Sequence, residues 1–185
     1  MSIQRSFWLA ATLVFGLGTA ALADDSAKDA KRKAEIDGQA KTTLDQLLRD
    51  DAGAKELYGK AVGYAVFRVT KGGFIVSGGG GNGVAVDKAT GKRTYMRMGL
   101  GGVGLGIGGQ RYELVVLFEN RERMDKFIAG GWDSSATAEA AAGKEGKAAR
   151  TTFYDGVAYY QITDKGLMAH ADITGTKFWV NDDLR

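Results

Sequence analysis

The hydrophobic pattern of this chain changes period once, near residue 61. Before that point, Ile36, Ala40, Leu44, Leu47 and Leu48 recur at spacings of three and four, so a helix over about Ala27–Arg49 gathers them on one face. A shorter helix is expected from Ala54 to Lys60. Beyond Ala61 the period falls to two. "AVGYAVFRV" and "GFIV" are β-branched and aromatic, with a turn predicted at Lys71-Gly72-Gly73. "GVAVD" and "RTYMRM" then bracket "KATGK", a hairpin whose loop centres on Thr90 and Gly91. The run Met98–Tyr112 and the following "YELVVLFEN" each read as a strand, and "RERMDKFIA" as a short helix turning Met124, Phe127 and Ile128 inward. Asp133 or Ser134 can cap a further helix through "SATAEAAA", closed by Gly143. "GVAYYQIT", "GLMAHADI" and "TKFWVN" add strands. The pattern predicts an α+β fold: a curved, largely antiparallel, glycine-rich sheet with the N-terminal helix and short helices packed on it.

The run "MGLGGVGLGIGGQRY" decides between two chemistries. The dinucleotide spacing G-x-G-x-x-G occurs at Gly99-Gly101-Gly104, at Gly104-Gly106-Gly109 and again at Gly78-Gly80-Gly83. A pyrophosphate site needs a helix to begin directly after the glycines, because the phosphates rest on that helix N-terminus. Here each set runs into another strand-like segment, "VAVD" or "ELVVLF", and no P-loop ending in G-K-[ST] is present. Val103, Leu105 and Ile107 instead alternate with Gly104, Gly106 and Gly108, which predicts a strand with one apolar face and one bare face. Two reasons for a bare face stay open. The glycines let a barrel-like sheet bend, or they floor a groove for a long apolar ligand or a lipid headgroup.

Composition narrows the function further. Arg5, the apolar run Phe7–Leu17 and the small residues Ala21 and Ala23 ahead of "DDSAK" form the n-region, h-region and A-x-A site of a cleavable export signal. An uncleaved anchor is the other reading of that run, which is short for a spanning helix. The expected organisation is a signal peptide over 1–23, a helical region over 24–60 and a β-rich domain over 61–185, the last two forming one globular unit in the periplasm. The chain has no cysteine and a single histidine, His170, which removes disulfides, thiolate chemistry and a histidine metal cage. No cofactor is expected. A formal net charge of +3 is too even a balance for nucleic-acid binding. The basic "KDAKRK" is offset by Asp24, Asp25, Asp29, Glu35 and Asp37, as on the solvated face of a packing helix. A helix that swings out onto a membrane is the alternative.

The segments "AVGYAVFRVTKGGFIVSGGGGNGVAV", "GLGIGGQRYELVVLFEN", "MDKF", "AAAGKEG" and "KGLMAHADITGTKFWVND" follow one another in an order that resembles the SYLF domain. The resemblance runs from about Lys55 to the C-terminus. It implies a lipid-binding domain, known in actin-regulating proteins and in exported bacterial relatives, with no enzymatic activity. The family often has a proline near "FRVTKGG" and a glycine at the position of His170. Its basic amphipathic helix is matched here only by the charge-balanced N-terminal helix. For an exported protein, the resemblance points to envelope phospholipids rather than to actin or phosphoinositides.

Candidate residues follow from the same patterns. Alternation puts Arg93, Tyr95 and Arg97 on one strand face and Thr94, Met96 and Met98 on the other. Two guanidiniums on one face can fork onto phosphate oxygens. With Lys88 and Lys92 in the adjoining turn, and with Lys71, they form the expected headgroup site; a solvated strand face is the structural alternative. Phe153, Tyr154, Tyr159, Tyr160, Phe178 and Trp179 suit either cross-strand packing or a membrane interface. Asn120, Asp87 and Glu113 are expected to pin the fold. No catalytic constellation emerges. The function expected is binding to phospholipid or another anionic membrane surface. The alternative is an envelope structural or assembly factor that binds a protein partner through the glycine-rich face.

Overall fold

The structure is a computed structural model that describes residues 18–73, 76–103, 108–130, 152–163, 166–169 and 176–185. Two helices, α1 (Gly18–Asp50) and α2 (Ala52–Lys60), precede strands β1 (Gly63–Gly73), β2 (Val76–Asp87), β3 (Arg93–Val103) and β4 (Gly108–Phe118). Helix α3 (Arg121–Ile128), strands β5 (Val157–Thr163), β6 (Gly166–Ala169) and β7 (Thr176–Val180), and a 3₁₀ turn at Asp182–Leu184 complete the described order. All seven strands join one antiparallel sheet in the order β6-β5-β4-β1-β2-β3-β7. The α+β fold with a curved antiparallel sheet and an N-terminal helix is as the pattern predicts. Asp51 separates the first two helices by capping α2, its carboxylate accepting from the Ala54 N–H at 2.8 Å. The Asn120 side chain caps α3 in the same way, accepting from the Arg123 N–H at 3.0 Å.

Several boundaries differ from the sequence expectation, the first being α1, which begins at Gly18 and not at the expected Ala27. Lys71-Gly72-Gly73 is not a turn; β1 continues through it, paired with Ser77–Gly79 of β2. The glycines Gly78–Gly81 stay inside β2, because ladder hydrogen bonds need only backbone. Met98–Tyr112 is not one strand: "RTYMRM" runs on into β3 as far as Val103, and "YELVVLF" is preceded in β4 by Gly108–Arg111. The two strands are not neighbours, since β1 and β2 lie between them. β2 runs on as strand past Gly83 and β4 past Gly109, so neither glycine opens a phosphate-binding helix; Gly104 lies outside the described residues. The Leu105 and Ile107 alternation, the helix expected after Asp133, Trp132 and His170 lie outside the described residues.

Both faces of the sheet carry core. On one, Ala40, Leu44 and Leu47 of α1 and Leu57 of α2 pack on Val66, Val84 and Val115. On the other, Met124 and Phe127 of α3 meet Phe67, Phe118 and Phe178. Phe67 on β1 and Phe178 on β7 are three strands apart, about 14 Å across a flat sheet, yet their ring centroids are 5.1 Å apart. The sheet therefore curls around this aromatic cluster, with Phe127 4.7 Å from Phe178 and 5.0 Å from Phe118. Glycine permits the curl. A Cβ on Gly83 would fall on the Phe67 ring and the Val66 carbonyl oxygen, and one on Gly79 or Gly81 would meet the Thr70 or Arg68 carbonyl. These glycines alternate on the concave side of β2, where β1 approaches most closely.

Gly83→Val should lower stability by about 3 kcal/mol, the scale of overpacking in a filled core. Gly101→Ala, where an added Cβ meets nothing within 4 Å, should be neutral or gain up to about 1 kcal/mol. Urea unfolding monitored by far-UV circular dichroism measures both.

Candidate functional site

Helices α1 and α2 cover only part of the sheet face they pack on. The covered part ends where the row of side chains turns polar. Tyr95 marks the limit: its hydroxyl donates to Asp37 of α1 at 3.0 Å, and Arg93 Nε lies 3.4 Å from the same carboxylate. Burial, reinforced by the bond to Asp37, pushes the Tyr95 hydroxyl up to about 12, so it stays a donor at any physiological pH.

Beyond that limit the face is open among the described residues, and strand register sets its composition. One row across five strands reads Glu113, Arg68, Asn82, Arg97 and Trp179. The next reads Arg111, Thr70, Gly80, Gly99 and Lys177, and a third Gly109, Gly72, Gly78 and Gly101. Four cations thus stand over a floor that is largely glycine. Two carboxylates reach them: Glu113 at 3.4 Å from Arg68, and Asp183 of the 3₁₀ turn at 2.5 Å from Arg97. Trp179 is 42% exposed, the most exposed large apolar side chain among the described residues. Its ring lies against β3 because Gly99 offers no side chain there; a Cβ would come within 3.1 Å of the indole. Phe178, Tyr159 and Tyr160, by contrast, are buried in the core.

The residues expected to hold a headgroup are divided by this register. Arg93 and Arg97 share a face, as alternation requires, while Met96 and Met98 are buried opposite. Only Arg97 reaches the open region, since Arg93 is engaged with Asp37. Lys71 points to the other side of the sheet. It pairs with Gly79, whereas Arg93 pairs with Val86, about 23 Å further along β2. Lys88 is turned inward: its ammonium donates to the Tyr58 and Ala61 carbonyls at 2.5 and 2.9 Å and lies 4.2 Å from the Tyr58 ring. Burial lowers its pKa. Lys92 is exposed in the turn at that same end. The three side chains that join Arg97 on the open face, Arg68, Arg111 and Lys177, escape sequence reasoning because each is the single cation on its face of its own strand. Alternation from the apolar Val66, Val115 and Phe178 gives their faces, but only register brings them together.

The turn at Asp87 is a structural clamp. Its carboxylate accepts from the Ala89 and Thr90 N–H groups at 2.9 and 3.3 Å and from Arg121 of α3 at 2.8 Å. The Arg121 guanidinium holds the Asp87 carboxyl well below the ordinary carboxylate range, and the turn amides act in the same direction. The clamp ties the β2–β3 turn to the start of α3.

Residues 99–185 match the Ysc84 family model, described as Las17-binding protein actin regulator. Beta cell expansion factor A of Aeromonas veronii is 42% identical over 149 residues, which is 80% of this chain and 57% of that protein. The chain therefore spans a little over half the length of that relative. The family match begins at Gly99, inside β3, and includes Arg111, Lys177, Trp179 and Asp183; Arg68, Asn82 and Arg97 precede it.

The depressed Asp87 pKa gives a signed pH dependence. Its contribution is complete above the ordinary aspartate value of about 4 and is lost as pH falls from there toward the folded-state value. Arg121→Gln should reduce stability at pH 7 and flatten its fall between about pH 4 and pH 2. Thermal melts across that range read the difference; parallel curves for both proteins would show that the pair does not carry the titration.

Proposed function

From a chain that carries a domain of the SYLF family, we propose a non-enzymatic lipid-binding protein that docks on anionic phospholipid membranes through the open half of its sheet. The observation that supports this reading is the pairing of Arg68, Arg97, Arg111 and Lys177 with an exposed Trp179 on one uncovered face. A basic side chain near an anionic bilayer contributes about 1 kcal/mol. An indole at the headgroup level places its ring in the acyl boundary and its N–H among polar groups. The glycines allow lipid to approach the strand backbone without intervening side chains. Adsorption of this kind needs no reaction centre.

We propose that this activity is periplasmic, a reading supported by the export-signal pattern at the start of the sequence. Cleavage after Ala23 would remove the apolar run and keep the buried α1 positions among the described residues, Ala40, Thr43, Leu44 and Leu47, in the mature protein. The protein would then meet the periplasmic faces of the envelope membranes as a peripheral ligand.

Two experiments test these readings. Vesicles containing phosphatidylglycerol should sediment the protein, and vesicles of phosphatidylcholine should not. Arg111→Gln with Lys177→Gln should weaken partitioning roughly 30-fold, from about 1 kcal/mol per cation. In a Trp8→Phe/Trp132→Phe background, Trp179 emission should shift to the blue on binding. Undiminished partitioning by the double variant, with Trp179 still wet, removes this face from the membrane contact. For export, Edman sequencing of the periplasmic form should begin at Asp24. Recovery of the intact N-terminus in the membrane fraction would support an anchor instead.

A further inference from the structure

Resting on the membrane-binding reading, we propose that Arg68, Asn82 and Arg97 form a seat for one phosphate group of a phospholipid headgroup, with preference for a phosphomonoester such as phosphatidic acid. Arg68 pairs in register with Asn82, and Asn82 with Arg97. The three Cα positions therefore follow one another at about 4.8 Å steps across adjacent strands. All three side chains leave from the same open face. The arginines flank the amide, so their guanidiniums can close over it from both sides. A tetrahedral phosphate offers enough oxygens to take a fork from each guanidinium and a donor from the Asn82 amide. A planar carboxylate has two oxygens and satisfies one fork.

The floor beside the seat favours close approach. Gly80 and Gly99 occupy the neighbouring row, and Gly78 and Gly101 the row beyond, where no side chain rises to hold a headgroup away. Trp179, the register partner of Arg97, walls one side and provides the apolar contact for the attached glycerol and acyl chains. The diacyl tail that this wall requires commits the seat to a membrane lipid and not to a free phosphate ester.

The molecule already places an anion on each arginine. Glu113 Oε1 meets both Arg68 Nε and Nη2 at 3.4 Å, a long and weak contact. Asp183 meets Arg97 through Nη2 at 2.5 Å. Both pairs are open to solvent, where such a bridge contributes about 0–1 kcal/mol. A phosphate that engages both guanidiniums at once can displace them. Asp183 sits on a single 3₁₀ turn against Arg97, so it acts as an internal competitor for that guanidinium.

The test compares vesicles of phosphatidylcholine doped with phosphatidic acid or with oleate to equal zeta potential. The seat predicts about tenfold tighter binding to phosphatidic acid, the scale of one added bidentate contact. Arg68→Gln and Arg97→Gln should each abolish that preference, and Asn82→Ala should reduce it. Arg111→Gln and Lys177→Gln should weaken both vesicles alike and keep the ratio. Asp183→Asn should raise affinity for phosphatidic acid several-fold. Thermal melts confirm folding of these exposed-site variants, and any variant that fails them is replaced by the Arg→Lys form, which keeps charge but loses the fork. Equal binding to both vesicles overturns the seat and leaves general adsorption standing. Binding of soluble glycerol 3-phosphate as tightly as of phosphatidic acid overturns the lipid assignment. No binding to either vesicle overturns the membrane reading itself.

Discussion

The space left by the missing side chain at Gly83 is filled by the Phe67 ring, and the curl of the sheet depends on that contact. With a side chain there, the ring would be driven off β2 and could not meet Phe178 on the far edge strand. Without that meeting, β7 has no apolar reason to turn inward. The position of α3 follows from the same cluster, since Phe127 packs on Phe67, Phe118 and Phe178 together. Glycine is therefore not a passive filler on the concave side. It exchanges local strand preference, roughly 0.5–1 kcal/mol per residue against alanine, for several aromatic contacts worth about as much each or more.

A curled sheet has a convex side that one straight helix pair can cover only in part. Helix α1 follows the apolar rows of Val66, Val84 and Val115 and is pinned at its limit by Asp37, Tyr95 and Arg93. The next row reads Arg68, Asn82 and Arg97, which no apolar helix stripe can cover without stranding charge. The open half is thus a consequence of the polar row as much as of helix length. It is also where the surface aromatic and four of the sheet's cations collect.

Much of the fold is legible from periodicity alone. The stripe Ile36–Leu48 gives α1, and the Asp87 hairpin is marked by its turn residues. Two of the three polar pins hold as expected, Asn120 capping α3 and Asp87 clamping the turn, whereas Glu113 makes only a long, solvent-open contact with Arg68. The strand limits are less legible, because glycine runs give no alternation by which to decide where a strand stops; β1 and β3 both run further than their apolar residues suggest. The site is the least legible part. Lys88, Lys92 and Arg93 are near one another in sequence, but the fold assigns Lys88 to backbone carbonyls and Arg93 to Asp37. Arg68 and Arg97 are neighbours only through Asn82, and nothing short of the β1–β2–β3 register places them together. Local density of charge marks a turn here; long-range pairing marks the face.

An exposed, glycine-rich sheet surface needs charge in any case, since flat strands with little side-chain specificity slip in register and associate. Solubility alone would be met by either sign or by both interspersed. The open half holds both signs but is weighted to the positive. Its cations come from four different strands, β1, β3, β4 and β7, and its two carboxylates each contact an arginine already present. A surface kept apart only by repulsion has no use for Trp179, whose exposure costs apolar hydration. Protection from self-association explains why charge is present on this face; the excess of cations over carboxylates and the adjoining indole suit the anionic, partly apolar partner proposed above.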